Sequence, residues 1–160
     1  MYSIFDIFKV SIGPSSSHTM GPMIAAKHFR DLLSSRSIDS KVSRINARLF
    51  GSLAYTGRAH GSEKGIVLGL EGYSPESIKT QEIKSTISKV KRVSSISISD
   101  SSKIPFTIDG DIIFDTKTLP KGHSNTLEII AYDKNQDELL KRTYHSVGGG
   151  FIRVKGERKR

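Results

Sequence analysis

Three stretches of the chain gather side chains that could do chemistry. The first is Gly13-Pro14-Ser15-Ser16-Ser17-His18-Thr19, directly ahead of an amphipathic run. A helix mouth presents unpaired N–H groups and a partial positive charge, which suits a carboxylate or phosphate. Ser15, Ser16, Ser17 and Thr19 would add hydroxyl donors there, and His18 a switchable one. The same residues also read as a serine-rich helix cap, since Ser and Thr are ordinary N-cap residues. The run is not a phosphate-binding P-loop, because no Gly-Lys-[Ser/Thr] is present.

The second stretch, Gly51 to Gly65, sets Gly51, Gly57, Gly61 and Gly65 around His60. A strand that ends in a glycine-rich turn before a helix is a common ligand-docking place. A neutral His60 there could act as a general base; the alternative is a histidine that caps the turn. Glu63 and Lys64 read as a solvated helix face. The third stretch is Gly122-His123-Ser124-Asn125-Thr126, where His123 and Asn125 stand two apart. They form either a small polar clamp or an ordinary turn. Gly148-Gly149-Gly150 allows close backbone approach to a ligand or forms a bulge. His28 and His145 read as structural or surface residues. No histidine spacing of a metal site is present, so no metal ligand is assigned.

The elements that position these groups follow from periodicity. Apolar residues recur at helical spacing from Thr19 to about Ser34, with Ser17 or Thr19 as cap and Pro22 in the first turn. Val42 to Leu53 reads as a strand, and helices are expected from about His60 to Leu70 and from Ser77 to Val90. Ser94–Ser99 alternates with a period of two. Asp109-Gly110 between Ile104–Ile108 and Ile112–Thr116 predicts a hairpin. Thr126–Tyr132 and Leu139–Ser146 predict an antiparallel pair around Asp133–Asp137, and Val147–Val154 closes the domain. Helix-rich then strand-rich order implies an α+β fold, with helices packed on one face of a mixed, largely antiparallel sheet.

Bulk properties narrow the classes. A chain of 160 residues suits one domain with one core. Residues 1–154 are taken as that domain and 155–160 as the start of a basic linker. The apolar N-terminus holds Asp6 and Lys9 and lacks the shape of a secretory signal. With no cysteine there is neither a disulfide framework nor a thiolate ligand, and a cytoplasmic setting is the simpler expectation. No window is long enough to span a bilayer, so no membrane partner is expected. The net charge of +9 raises a nucleic-acid hypothesis. The basic residues are dispersed and end in Lys155–Arg160, without a recognition motif, so nucleic acid is not taken as the partner.

Taken together, the motifs resemble the β domain of the bacterial iron–sulfur L-serine dehydratases. The matching segments are Ser3–Phe8 leading to Ile12–Met23, Gly51–Ala54 through His60 to Leu68-Gly69-Leu70, His123–Thr126, and Tyr144–Phe151. They run over nearly the whole chain in family order. The resemblance implies a fold akin to the allosteric substrate-binding domain of some phosphoglycerate dehydrogenases. It implies conversion of L-serine to pyruvate and ammonia with a [4Fe–4S] cluster ligated outside this chain, in a separate α domain. His60 matches the family's proposed base, and Ser15, Ser16, Ser17, His18 and Thr19 match the motif that holds the substrate carboxylate. His123 and Asn125 match an L-serine effector site. The chain alone would then be inactive, its partners being L-serine, the cluster-bearing α domain and a second copy in a homodimer. The single-chain family type is the better match, because no extension of the two-subunit type follows Arg160. A competing expectation is a purely regulatory amino-acid-binding module with no catalytic residues.

Overall fold

The computed structural model describes residues 16–51, 53–54, 61–118, 125–146 and 152–154. Helix α1 (Ser16–Ser35) buries Met23, Ala26, Phe29 and Leu33 on one face, the i, i+3, i+6, i+10 stripe expected of a helix lying on a core. It begins earlier than expected. Ser17 and Thr19 therefore lie within the helix rather than at its cap, and Pro22 stands in the interior. A short 3₁₀ turn (Asp39–Lys41) leads into β1 (Arg44–Gly51). Helices α2 (Ser62–Leu70) and α3 (Thr80–Val93) follow. Ser77 does not open α3, because its hydroxyl is engaged in a turn with Ser74. The Glu82 carboxylate accepts from the Lys79 backbone N–H and starts the helix later.

The segment after α3 departs from the expected hairpin. Strand β2 (Ser95–Ser97) pairs antiparallel with β3 (Lys103–Pro105) in a separate two-stranded sheet. Asp109-Gly110 lies inside a single helical turn, α4 (Ile108–Asp111). The physical cause is Asp111. One carboxylate oxygen accepts from the Thr107 backbone N–H at 2.8 Å, and the other accepts from Asn46 Nδ2 at 2.9 Å. These bonds close the turn and hand the chain to β4 (Ile112–Asp115), which pairs parallel with β1.

Strands β5 (Asn125–Tyr132), β6 (Glu138–Ser146) and β7 (Ile152–Val154) complete the main sheet in the order β4-β1-β5-β6-β7. All its pairings but β1–β4 are antiparallel, so the fold is α+β with a mixed sheet, as expected. The turn at Asp133 joins β5 to β6, with its carboxylate accepting from Asn135 and Asp137 N–H groups. Ile45, Ala47 and Leu49 of β1 and Leu127, Ile129 and Ala131 of β5 face the helices and are buried. Arg44 instead lies over the Tyr132 ring at 4.9 Å.

One polar pair fastens α1 to this sheet. Tyr144 is fully buried, its hydroxyl lies 2.8 Å from His28 Nδ1, and the rings meet edge to face. His28 is therefore a structural residue. Tyr144→Phe keeps the ring and removes the bond, so stability is expected to fall by about 1 kcal/mol. Chemical denaturation should show a lower midpoint with an unchanged slope.

A second polar group makes stability depend on pH. Burial raises the Glu71 carboxyl above its ordinary range, opposed by a backbone hydrogen bond from Ser97 and the cations Lys89, Arg30 and Lys103. The folded state thus holds this proton more tightly than the unfolded chain. That contribution is complete below the unfolded pKa and is lost as pH rises through the folded one. Glu71→Gln is expected to raise the melting temperature at neutral pH and to lose that advantage once pH falls below the ordinary glutamate range. Melting curves from about pH 4 to about pH 8 would show the difference converging at the acid end.

Candidate functional site

The architecture brings separate motifs to one end of the sheet. The two main helices lie against each other through glycines of α2. A Cβ at Gly65 would fall 2.5 Å from the Thr19 carbonyl oxygen and 3.3 Å from the Met23 nitrogen. One turn on, a Cβ at Gly69 would strike the Met23 carbonyl oxygen, Ala26 and the Lys27 nitrogen. Thr19 sits beside Gly65 and Met23 beside Gly69, so α1 and α2 run parallel and begin at the same end. The short connection from Ser35 to Arg44 makes α1 antiparallel to β1. Both helix starts therefore lie at the end where β1 finishes at Gly51.

The sheet register places more of the motif residues there. Gly51 pairs with Asn125, the first residue of β5. Ser146, the last residue of β6, pairs with Ile152 at the start of β7. Gly51, Asn125, Ser146 and Ile152, described residues that border the stretches holding His60, His123 and Gly148–Gly150, therefore lie at this one end. Two parallel helix starts there sum their partial positive charges, an arrangement suited to a carboxylate.

Ser16, Ser17 and His18 occupy the first turn of α1, and Thr19 follows, buried in the contact with α2. Pro22 has no N–H, so the carbonyl of residue 18, four positions earlier, loses its ordinary helical donor. Ser15, His60 and His123 lie outside the described residues, as do Gly148–Gly150. Gly61, next to His60, is the N-cap of α2 with φ 79°, a left-handed conformation that glycine adopts without steric cost. His60 is thus followed by a sharp turn into the helix.

Two features escaped sequence reasoning. Thr126 Oγ1 lies 3.1 Å from His145 Nδ1, across β5 and β6 and beside Asn125. His145, read as structural or surface, belongs to the motif-bearing end. Only the strand register reveals this, because the two residues are 19 apart in sequence. The second is Glu63. It is half-buried rather than solvated, and its Oε2 is sealed from solvent with no hydrogen-bond partner among the described residues. An unmet buried acceptor costs about 1–3 kcal/mol, though α2's first turn is where a negative charge is best tolerated.

The donor set does not fit an iron–sulfur cluster. The chain has no cysteine, and among the described residues no three His, Asp or Glu gather as a metal site. Also among them, no helix is long and apolar enough to cross a membrane.

Comparison with known proteins identifies a family. Residues 3–157 match the family model described as serine dehydratase beta chain. The chain is 44% identical over 153 residues to an L-serine dehydratase of Haemophilus influenzae, covering 95% of this chain and 33% of that protein. It is 45% identical over 153 residues to the L-serine dehydratase TdcG of Escherichia coli K12, with the same coverage. An L-serine dehydratase of Streptomyces coelicolor is 39% identical over 150 residues, covering 94% of this chain and 33% of the relative. The chain thus spans about a third of the length of these relatives. With the family model matched almost from end to end, the chain belongs to the serine dehydratase beta-chain family.

Proposed function

We propose that this chain is the β part of an iron–sulfur L-serine dehydratase, contributing a base and carboxylate-binding groups to a composite active site. The observation that supports it best is the meeting of two parallel helix starts with the ends of β1, β5 and β6. In this reading the carboxylate of L-serine lies at the helix mouths, held by N–H groups and by hydroxyls among Ser15, Ser16, Ser17 and Thr19, with His18 beside them. His60 takes the Cα proton, a task suited to imidazole because its ordinary pKa lies near working pH. Loss of water then leads to aminoacrylate, which tautomerises and hydrolyses to pyruvate and ammonia.

The [4Fe–4S] cluster of such an enzyme is held outside this chain, in a cluster-bearing α domain, since the donor set here does not suit it. Asn125 and His123 form an L-serine effector site, and the assembly is a cytoplasmic homodimer. An anaerobic pyruvate assay on L-serine tests the proposal. Activity should require the complete cluster-loaded form and be missing from this chain alone. Pyruvate formation by the chain alone would overturn the composite site.

A further inference from the structure

Strands β5 and β6 separate where the motifs meet. Their register runs from Tyr132 and Glu138 to Thr126 and His145, and there it stops. At the next position Asn125 keeps to Gly51 of β1, and Ser146 keeps to Ile152 of β7. Among the described residues no pairing joins Asn125 to Ser146. Gly51 itself turns left-handed, with φ 62°, so β1 also ends beside Asn125. Asn125 thus stands at the limit of the ladder, where a sheet opens most readily.

A side-chain bond sits at the last β5–β6 pair. Thr126 Oγ1 lies 3.1 Å from His145 Nδ1. Thr126 is only 3% exposed, and a buried hydroxyl depends on its hydrogen-bond partners. Successive strand residues face opposite sides of a sheet. His145 therefore faces away from Tyr144, whose buried ring and hydroxyl make the contact with α1. In the middle of a ladder a cross-strand pair adds a little to the backbone bonds on either side. At the end of one it decides how far the strands hold together before Asn125 and Ser146 go to different partners.

We propose that His145 is a positioning residue for L-serine at the effector site: through its bond to Thr126 it fixes the start of β5, and with it Asn125. The proposal rests on the reading of Asn125 as an effector residue. His145 acts through Thr126 and does not itself contact the ligand.

Saturation curves of the complete, cluster-loaded enzyme with L-serine, measured anaerobically, test this. His145→Phe keeps a ring and Thr126→Val keeps the branched shape, but each removes the bond. Both are expected to raise the half-saturating L-serine concentration about three- to tenfold, the factor a single hydrogen bond supplies, with kcat held within about twofold. His145→Asn returns a hydrogen-bonding atom near the place of Nδ1, so its half-saturation should lie within about twofold of the unaltered enzyme. A merely structural pair would lower the melting temperature and leave the half-saturation of the folded enzyme where it was; melting curves identify the folded variants. Unchanged half-saturation in folded His145→Phe or Thr126→Val, a loss confined to kcat, or a His145→Asn enzyme as impaired as His145→Phe would overturn the proposal. Asn125→Ala tells its failure from that of the reading beneath it. If Asn125→Ala leaves half-saturation and cooperativity unchanged, the effector site fails and the proposal with it. If Asn125→Ala shifts them while His145→Phe does not, the proposal alone fails.

Discussion

His60→Ala in the complete enzyme is expected to lower the rate of pyruvate formation from L-serine by about 10²- to 10⁴-fold, the range supplied by a positioned general base. Alanine removes the only ring nitrogens that position offers and can hold no proton. The neighbouring backbone is already committed: Gly61 turns left-handed and starts α2, and Ser62 is buried behind it. Truncating His60 therefore leaves the helix start and its charge in place, and substrate affinity should suffer less than turnover. A fall in kcat with little change in KM, measured anaerobically on cluster-loaded enzyme, is the expected signature. An unchanged kcat would remove His60 from the chemistry and favour the regulatory reading. In that case changes at His123 or Asn125 would alter cooperativity while leaving the maximal rate alone.

What the residues disclosed in advance was mostly local. The α1 stripe of Met23, Ala26, Phe29 and Leu33 declares a helix, and Asp133 between two β-prone runs declares the β5–β6 hairpin. Asp109-Gly110 gave the same hairpin signal, yet it forms a helical turn. There Asp111 answers to Asn46, 65 residues away, a partner that no local pattern can announce. The parallel pairing of β4 with β1 is hidden for the same reason. The motifs of the site were legible as residue types, but their meeting at one end was not. That meeting depends on which way α2 runs along α1, and the deciding residues are Gly65 and Gly69. Glycines in a sequence signal turns more often than close contact between helices.

Because those two glycines set the contact, replacing them should cost more stability than any other change considered. At Gly69 the atoms a Cβ would meet include the Met23 carbonyl oxygen and the Lys27 nitrogen, both backbone. Neither can turn aside, so α1 and α2 must separate and strip contacts from Met23, Ala26 and Leu68. Overpacking of a tight core costs about 1–3 kcal/mol, and the two branches of valine place the cost of Gly69→Val at or above the top of that range. Helix propensity returns less than about 1 kcal/mol, which is too little to offset it. Gly110→Ala supplies the contrast. Its Cβ would fall 2.6 Å from Thr107 Oγ1, the tip of an exposed side chain that can rotate away, so little change is expected. Gly65→Ala separates packing from function. Its clash is with the Thr19 carbonyl oxygen at the helix mouth, so a folded Gly65→Ala protein should bind L-serine more weakly than its loss of stability explains. Denaturation midpoints rank the three substitutions, and KM in the complete enzyme reads the last. A Gly69→Val protein as stable as the unaltered one would mean that the helices are not held at glycine distance, and the convergence at the helix mouths would lose its structural basis.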